Sequence, residues 1–81
     1  MKIRYFAWIK DITNKDYEVI QNNYPKDVNE LKKILNNSYP DLKKHIAKDI
    51  LRVAINMEYV STNRTLKQND EVAIFPPVSG G

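Results

Sequence analysis

A single α+β domain, with a mixed sheet and one main helix packed on one face, is what three features of this 81-residue sequence predict. Strand-like apolar alternation opens the chain and returns around Val53-Ala54-Ile55 and Val72-Ala73-Ile74. Between these stretches lies one apolar stripe of helical period, Val28, Leu31, Ile34 and Leu35. The chain's two glycines are both withheld from the elements and stand at Gly80 and Gly81, so the turns are built from Asn, Asp and Pro.

Each element has its own warrant. Residues 2–10 alternate, with Ile3, Tyr5, Ala7 and Ile9 on one side and Lys2, Arg4, Phe6, Trp8 and Lys10 on the other, which predicts a first strand. Turn residues from Asp11 to Asp16 lead to a weaker strand over 17–22, with Tyr17 and Val19 as its apolar side, and the pair predicts a hairpin. Pro25-Lys26-Asp27 opens the helix. Asp27 is the N-cap and Glu30 stands at capping-box spacing, while Pro40 puts the helix end near 37–39. Residues 41–48 are expected to form a short helical turn, with Leu42 and Ile46 touching the core. A third strand runs over 52–57 with Val53, Ile55 and Met57 on one face, and a tight turn at 56–59 leads into a short strand at 59–61. Leu66 is an isolated core plug, Gln68-Asn69-Asp70 a turn, and Glu71 to Phe75 the last strand, with Val72 and Ile74 facing in. The closing strand is expected beside the first, near the middle of the sheet. The compact fold with this order is the ubiquitin-like β-grasp, over residues 1–75, followed by a functional tail over 76–81.

Composition removes several function classes. At 42% apolar residues the chain is globular, and with no cysteine it has neither a disulfide framework nor a catalytic thiol. One histidine, His45, makes no metal site alone and is given no role. No apolar run reaches the length of a membrane span, and the opening Met1-Lys2-Ile3-Arg4 lacks the apolar segment of a signal peptide, so a cytoplasmic location is expected. The net charge of +3 comes from lysines interleaved with Asp27, Glu30, Asp41 and Asp49. Such mixing is ordinary solvated surface, so no nucleic-acid partner is expected.

The tail carries the chemistry. Pro76 and Pro77 end sheet pairing and hold the chain extended, so Pro76-Pro77-Val78-Ser79-Gly80-Gly81 spans about 19 Å. Ser79 is small, and Gly80-Gly81 has no side chain to obstruct a narrow pocket, so the Gly81 carboxylate can be presented deep inside a partner. A frayed, functionless end is the competing reading. The stiff stem and the absence of glycine elsewhere weigh against it.

Phe75-Pro76-Pro77-Val78-Ser79-Gly80-Gly81, preceded by Asn69-Asp70-Glu71-Val72-Ala73-Ile74, resembles the end of MoaD-type proteins, the small subunits of molybdopterin synthase. Ile3-Arg4-Tyr5-Phe6-Ala7 is similar to that family's first strand and Val53-Ala54-Ile55-Asn56 to its third. The resemblance spans the chain. It implies a sulfur carrier of molybdenum cofactor biosynthesis. A MoeB-type enzyme would use ATP to adenylate Gly81, and a sulfur donor would convert it to a thiocarboxylate. A MoaE-type large subunit would pass the sulfur to cyclic pyranopterin monophosphate, within a heterotetramer. The small chain would bind no cofactor, and the active site would lie on the large subunit. Thiamine-type sulfur carriage, protein modification through isopeptide bonds, and plain binding through an aromatic face remain as alternatives.

The strand alternation places Phe6 and Trp8 opposite Ile3, Tyr5 and Ile9, and Phe75 opposite Val72 and Ile74. Exposed aromatics are common contact anchors. The resemblance implies that Phe6, Tyr59 and Phe75 form a hydrophobic patch shared by the two partners. Trp8 departs from the family, where a polar residue is more usual, and either extends the patch or covers a local gap. Arg4, Lys10 and Arg64 are expected as rim charges of little energetic weight.

Overall fold

The computed structural model describes residues 1–77; the expectations for Val78, Ser79, Gly80 and Gly81 lie outside the described residues. Chain order is β1 (Lys2–Tyr5), α1 (Trp8–Thr13), β2 (Tyr17–Val19), α2 (Val28–Ser38), a 3-10 turn (Pro40–Leu42), α3 (Lys43–Ala47), β3 (Arg52–Ile55), β4 (Glu58–Val60) and β5 (Glu71–Phe75). The strands form one sheet in the order β2-β1-β5-β3-β4. Only β1 and β5 run parallel, paired from Lys2↔Glu71 to Tyr5↔Ile74. The last strand therefore sits at the centre, as expected, and the chain leaves it from a point anchored on both sides.

One core explains the arrangement. Ile3, Tyr5, Val53, Ile55, Val72 and Ile74 form the buried sheet face, and Val28, Leu31 and Leu35 of α2 pack into the same cluster. The helix starts where the capping box places it, with Asp27 Oδ1 accepting the Glu30 N–H at 2.8 Å. Leu66 is the buried plug the sequence predicts. The Leu66 N–H donates to the Lys26 carbonyl at 2.8 Å, and the Val28 N–H donates to the Arg64 carbonyl at 3.0 Å, so the loop is fastened beside the start of α2. Leu42 is fully buried and Ile46 packs against the core, as the 41–48 pattern predicts.

Three expectations are corrected. The first strand ends at Tyr5, and residues 8–13 form α1 instead of continuing to Lys10. Ile9 is buried as expected, but with Ile12 and Thr13 it makes an i, i+3, i+4 face that covers the core. β1 and β2 do pair antiparallel, yet a helix joins them where turn residues over 11–16 were expected. The second correction is the facing of β2. Tyr17 and Val19 are exposed, and Glu18 turns inward, where its carboxylate accepts hydrogen bonds from Tyr5 Oη and Tyr39 Oη. Third, β3 stops at Ile55, and Met57 is 94% exposed in the β3–β4 turn rather than facing the core with Val53 and Ile55. Asn56 (φ 51°) and Met57 (φ 69°) both take positive φ, the mark of a two-residue I′ turn.

Candidate functional site: an aromatic groove at the root of the tail

The sheet face away from α2 has no element packed across it among the described residues. Register puts Tyr17, Arg4, Ala73, Ala54 and Tyr59 in one row across all five strands. Directly opposed residues share a face, so the two alanines form a low floor between larger neighbours. Ala54, with Phe6, Ala7, Met57, Tyr59, Phe75, Pro76 and Pro77, lines an open groove of about 500 Å³ on this face.

Local structure sets each wall. The Phe6 N–H donates to the Ile74 carbonyl at 3.1 Å, which ties the end of β1 to β5 as the chain turns into α1. Phe75 pairs with Arg52, and its ring meets that of Tyr59 edge-on, with centroids 5.5 Å apart. Tyr59 is 73% exposed on the edge strand β4, and Phe6 is 40% exposed. The Arg4 guanidinium carbon lies 5.3 Å from the Phe6 ring centre, and one of its nitrogens is 3.6 Å from the Glu71 carboxylate. The Asn56 side chain braces the far wall. Its Oδ1 accepts the Glu71 N–H at 2.9 Å, and its Nδ2 donates to Asp70 Oδ1 at 2.9 Å, so the Met57 turn is clamped to the start of β5.

Of the residues predicted from sequence, the structure brings together Phe6, Tyr59, Phe75, Pro76 and Pro77. Trp8 is not among the groove's walls. It lies on α1 with its ring 4.7 Å from that of His45, and it is 37% exposed. The alternation argument that grouped it with Phe6 fails because α1 begins there. Arg4 lies on the groove side, while Lys10 pairs with Asp16 and Arg64 with Glu58, all exposed contacts of small energetic weight. Sequence reasoning missed Ala7, Ala54 and Met57. The Asn56 turn was visible; a turn ending at residue 57 would have put Met57 outside.

The groove offers shape and apolar area, not reactive chemistry. No group of three or more His, Asp or Glu able to hold a metal occurs among the described residues. The shifted protonation equilibria lie at the β2 edge, across the sheet from Tyr59. There burial, and then the hydrogen bond to Glu18, push the Tyr5 hydroxyl far above its ordinary value. Burial pulls the Glu18 carboxyl upward, but the two tyrosine hydrogen bonds and Lys15 outweigh it, and the net shift is downward.

Comparison with known proteins turns this geometry into a family assignment. The ThiS family matches residues 3–81. The chain belongs to the ThiS family. A molybdopterin synthase sulfur carrier subunit of Dictyostelium discoideum is 38% identical over 99% of this chain and 94% of that protein. Among solved structures, molybdopterin converting factor subunit 1 of Pyrococcus furiosus superposes with a TM-score of 0.80, at 28% identity, covering 95% of each chain. Subunit 1 in a complex with subunit 2 of the molybdopterin-converting factor from Helicobacter pylori gives 0.69 at 30% identity, over 99% of this chain and 96% of that one. The small archaeal modifier protein 1 of Methanosarcina acetivorans gives 0.79 at 25% identity, over 99% and 94%. The β-grasp fold and the MoaD-type resemblance are thus both borne out for this ThiS-family chain.

Proposed function

We propose that this chain is the sulfur carrier subunit of molybdopterin synthase, and that Gly81 is the atom-bearing end of the device. The observation that carries the reading is the position of the tail's root. Pro76 and Pro77 form part of the aromatic groove, so recognition and delivery are joined in one surface. Gly81 lies four positions beyond Pro77, at most about 14 Å of extended chain. An enzyme that acts on the Gly81 carboxylate must therefore lie against the groove.

The chemistry divides between chains. A carboxylate is a poor electrophile, so an adenylating enzyme of the MoeB type joins it to AMP from ATP and releases pyrophosphate. Sulfide-level sulfur from a donor attacks the acyl carbon, AMP leaves with its oxygen, and a thiocarboxylate stands on Gly81. A MoaE-type large subunit takes the tail and passes the sulfur to cyclic pyranopterin monophosphate, and water replaces it on the acyl carbon, so Gly81 returns to a carboxylate. Two such transfers form the dithiolene of molybdopterin. This chain supplies position and an unobstructed approach, through a stiff diproline and a tip without side chains. The subunit 1–subunit 2 complex of the Helicobacter pylori relative supports the large-subunit partner.

The likeness to an archaeal modifier protein favours a second reading, in which an activated Gly81 is joined to lysines of other proteins. Cells lacking the chain separate the two. Restoration of molybdopterin by the wild-type chain, and none by the Gly81 deletion, is the expected result. Higher-mass conjugates with normal molybdopterin levels would favour the modifier and overturn the synthase reading.

A further inference from the structure

Among the described residues, positive φ occurs at Ala7, Asn14, Asn23, Asp49, Asn56 and Met57. Four of these are Asn or Asp, the side chains that tolerate the left-handed region. The two that are not, Ala7 at φ 53° and Met57 at φ 69°, both line the aromatic groove. Elsewhere the turns obey the usual chemistry, and beside the groove they break it.

Met57 is the sharper case. It holds the second position of the two-residue turn, where glycine is the favoured residue. Its side chain recovers nothing from the core, since the residue is 94% exposed. Asn56, the other turn residue, suits its φ and anchors the turn to β5 through its amide, so the sequence has satisfied one position and not the other. A backbone cost kept at an exposed apolar residue points to use by a partner. Methionine is unbranched and pliant, and it suits contact with an irregular apolar surface.

We propose that Met57 is a docking residue for the molybdopterin synthase large subunit, kept against the turn's backbone preference because its thioether chain completes the groove's outer wall. The proposal rests on the sulfur-carrier reading. The tail requires an occupant, since Pro76 and Pro77 line the groove and a partner that closes on Gly81, at most about 14 Å beyond Pro77, lies against it. The subunit 1–subunit 2 complex of the Helicobacter pylori relative favours the large subunit for that place.

The test is calorimetric titration of the large subunit from the same organism with the full-length chain, alongside thermal melts of each variant. Met57→Gly and Met57→Asn fit the turn and remove the apolar chain. Both are expected to raise Tm and to weaken binding by at least about fivefold, the loss typical of a contributing interface side chain. Met57→Leu keeps an apolar chain and is expected to bind within about twofold of wild type. Phe75→Ala tests the groove itself. If it weakens binding while the Gly and Asn variants bind as wild type, the Met57 assignment is overturned and the groove reading stands. If Phe75→Ala also binds as wild type, the groove reading falls with it. A lower Tm in both Met57→Gly and Met57→Asn overturns the argument from backbone cost.

Discussion

Glu18 Oε2 accepts hydrogen bonds from the Tyr5 and Tyr39 hydroxyls, and Lys15 Nζ stands 3.8 Å from Oε1. The Glu18 carboxyl is held below its ordinary value, while both tyrosines are raised, by burial first and then by Glu18. The depressed carboxyl contributes stability that is complete above the unfolded-state value and lost as pH falls through the folded one. The raised tyrosines contribute stability that is complete below their unfolded-state value and lost as pH rises through the folded one. Thermal melts across pH are therefore expected to show losses on both the acid and the strongly alkaline side. Glu18→Gln should cost about 1–3 kcal/mol near neutral pH, as for hydrogen bonds to a charged acceptor, and flatten the acid loss. A mutant whose acid limb matches wild type would contradict that account. Nothing in the alternation of Tyr17, Glu18 and Val19 marked Glu18 as the inward residue, because a carboxylate counts as polar whether or not two hydroxyls await it. Phe75 was legible because its strand keeps its parity to the end, whereas Tyr59 came only from the family resemblance.

The elements divide in the same way. α2 was legible in its cap, in the Val28, Leu31 and Leu35 face and in the following proline, all local. Ile34 of the expected stripe, however, is only half-buried and stays outside the core cluster. Asp27→Ala removes the acceptor for the Glu30 N–H and is expected to cost about 1 kcal/mol, measurable by denaturant unfolding. Loss of Leu66, buried and fastened to the start of α2, is a larger matter. Leu66→Ala should cost about 2–5 kcal/mol in the same measurement, and a cost near zero would deny its part in the core. α1 was hidden because Ile9 satisfies both periods: it continues the alternation of Ile3 and Tyr5, and it also heads the Ile9, Ile12, Thr13 helical face. Six residues are too few for the helical period to outvote the strand that precedes them. Trp8 was misplaced by the same ambiguity, and its contact with His45 pairs two side chains 37 residues apart, beyond the reach of any local pattern.

At the scale of the whole molecule, the parallel β1–β5 pairing is decisive. It puts the last strand in the centre of the sheet, so Phe75 and the diproline emerge between Phe6 and Tyr59. The order of elements made that topology legible in the sequence, and the groove follows from it. Removal of Gly81 leaves every described contact in place, so the deletion should melt as wild type and yet abolish sulfur transfer. The most direct test of the central claim is fragment mass spectrometry of the chain after incubation with an adenylating enzyme, ATP and a sulfur donor. Exchange of oxygen for sulfur adds nearly the same mass as oxidation of Met1 or Met57, so the site must be mapped and a sample without ATP compared. The account predicts a thiocarboxylate on Gly81 that requires ATP. An unmodified Gly81, with the same enzyme active on a known carrier, would contradict it.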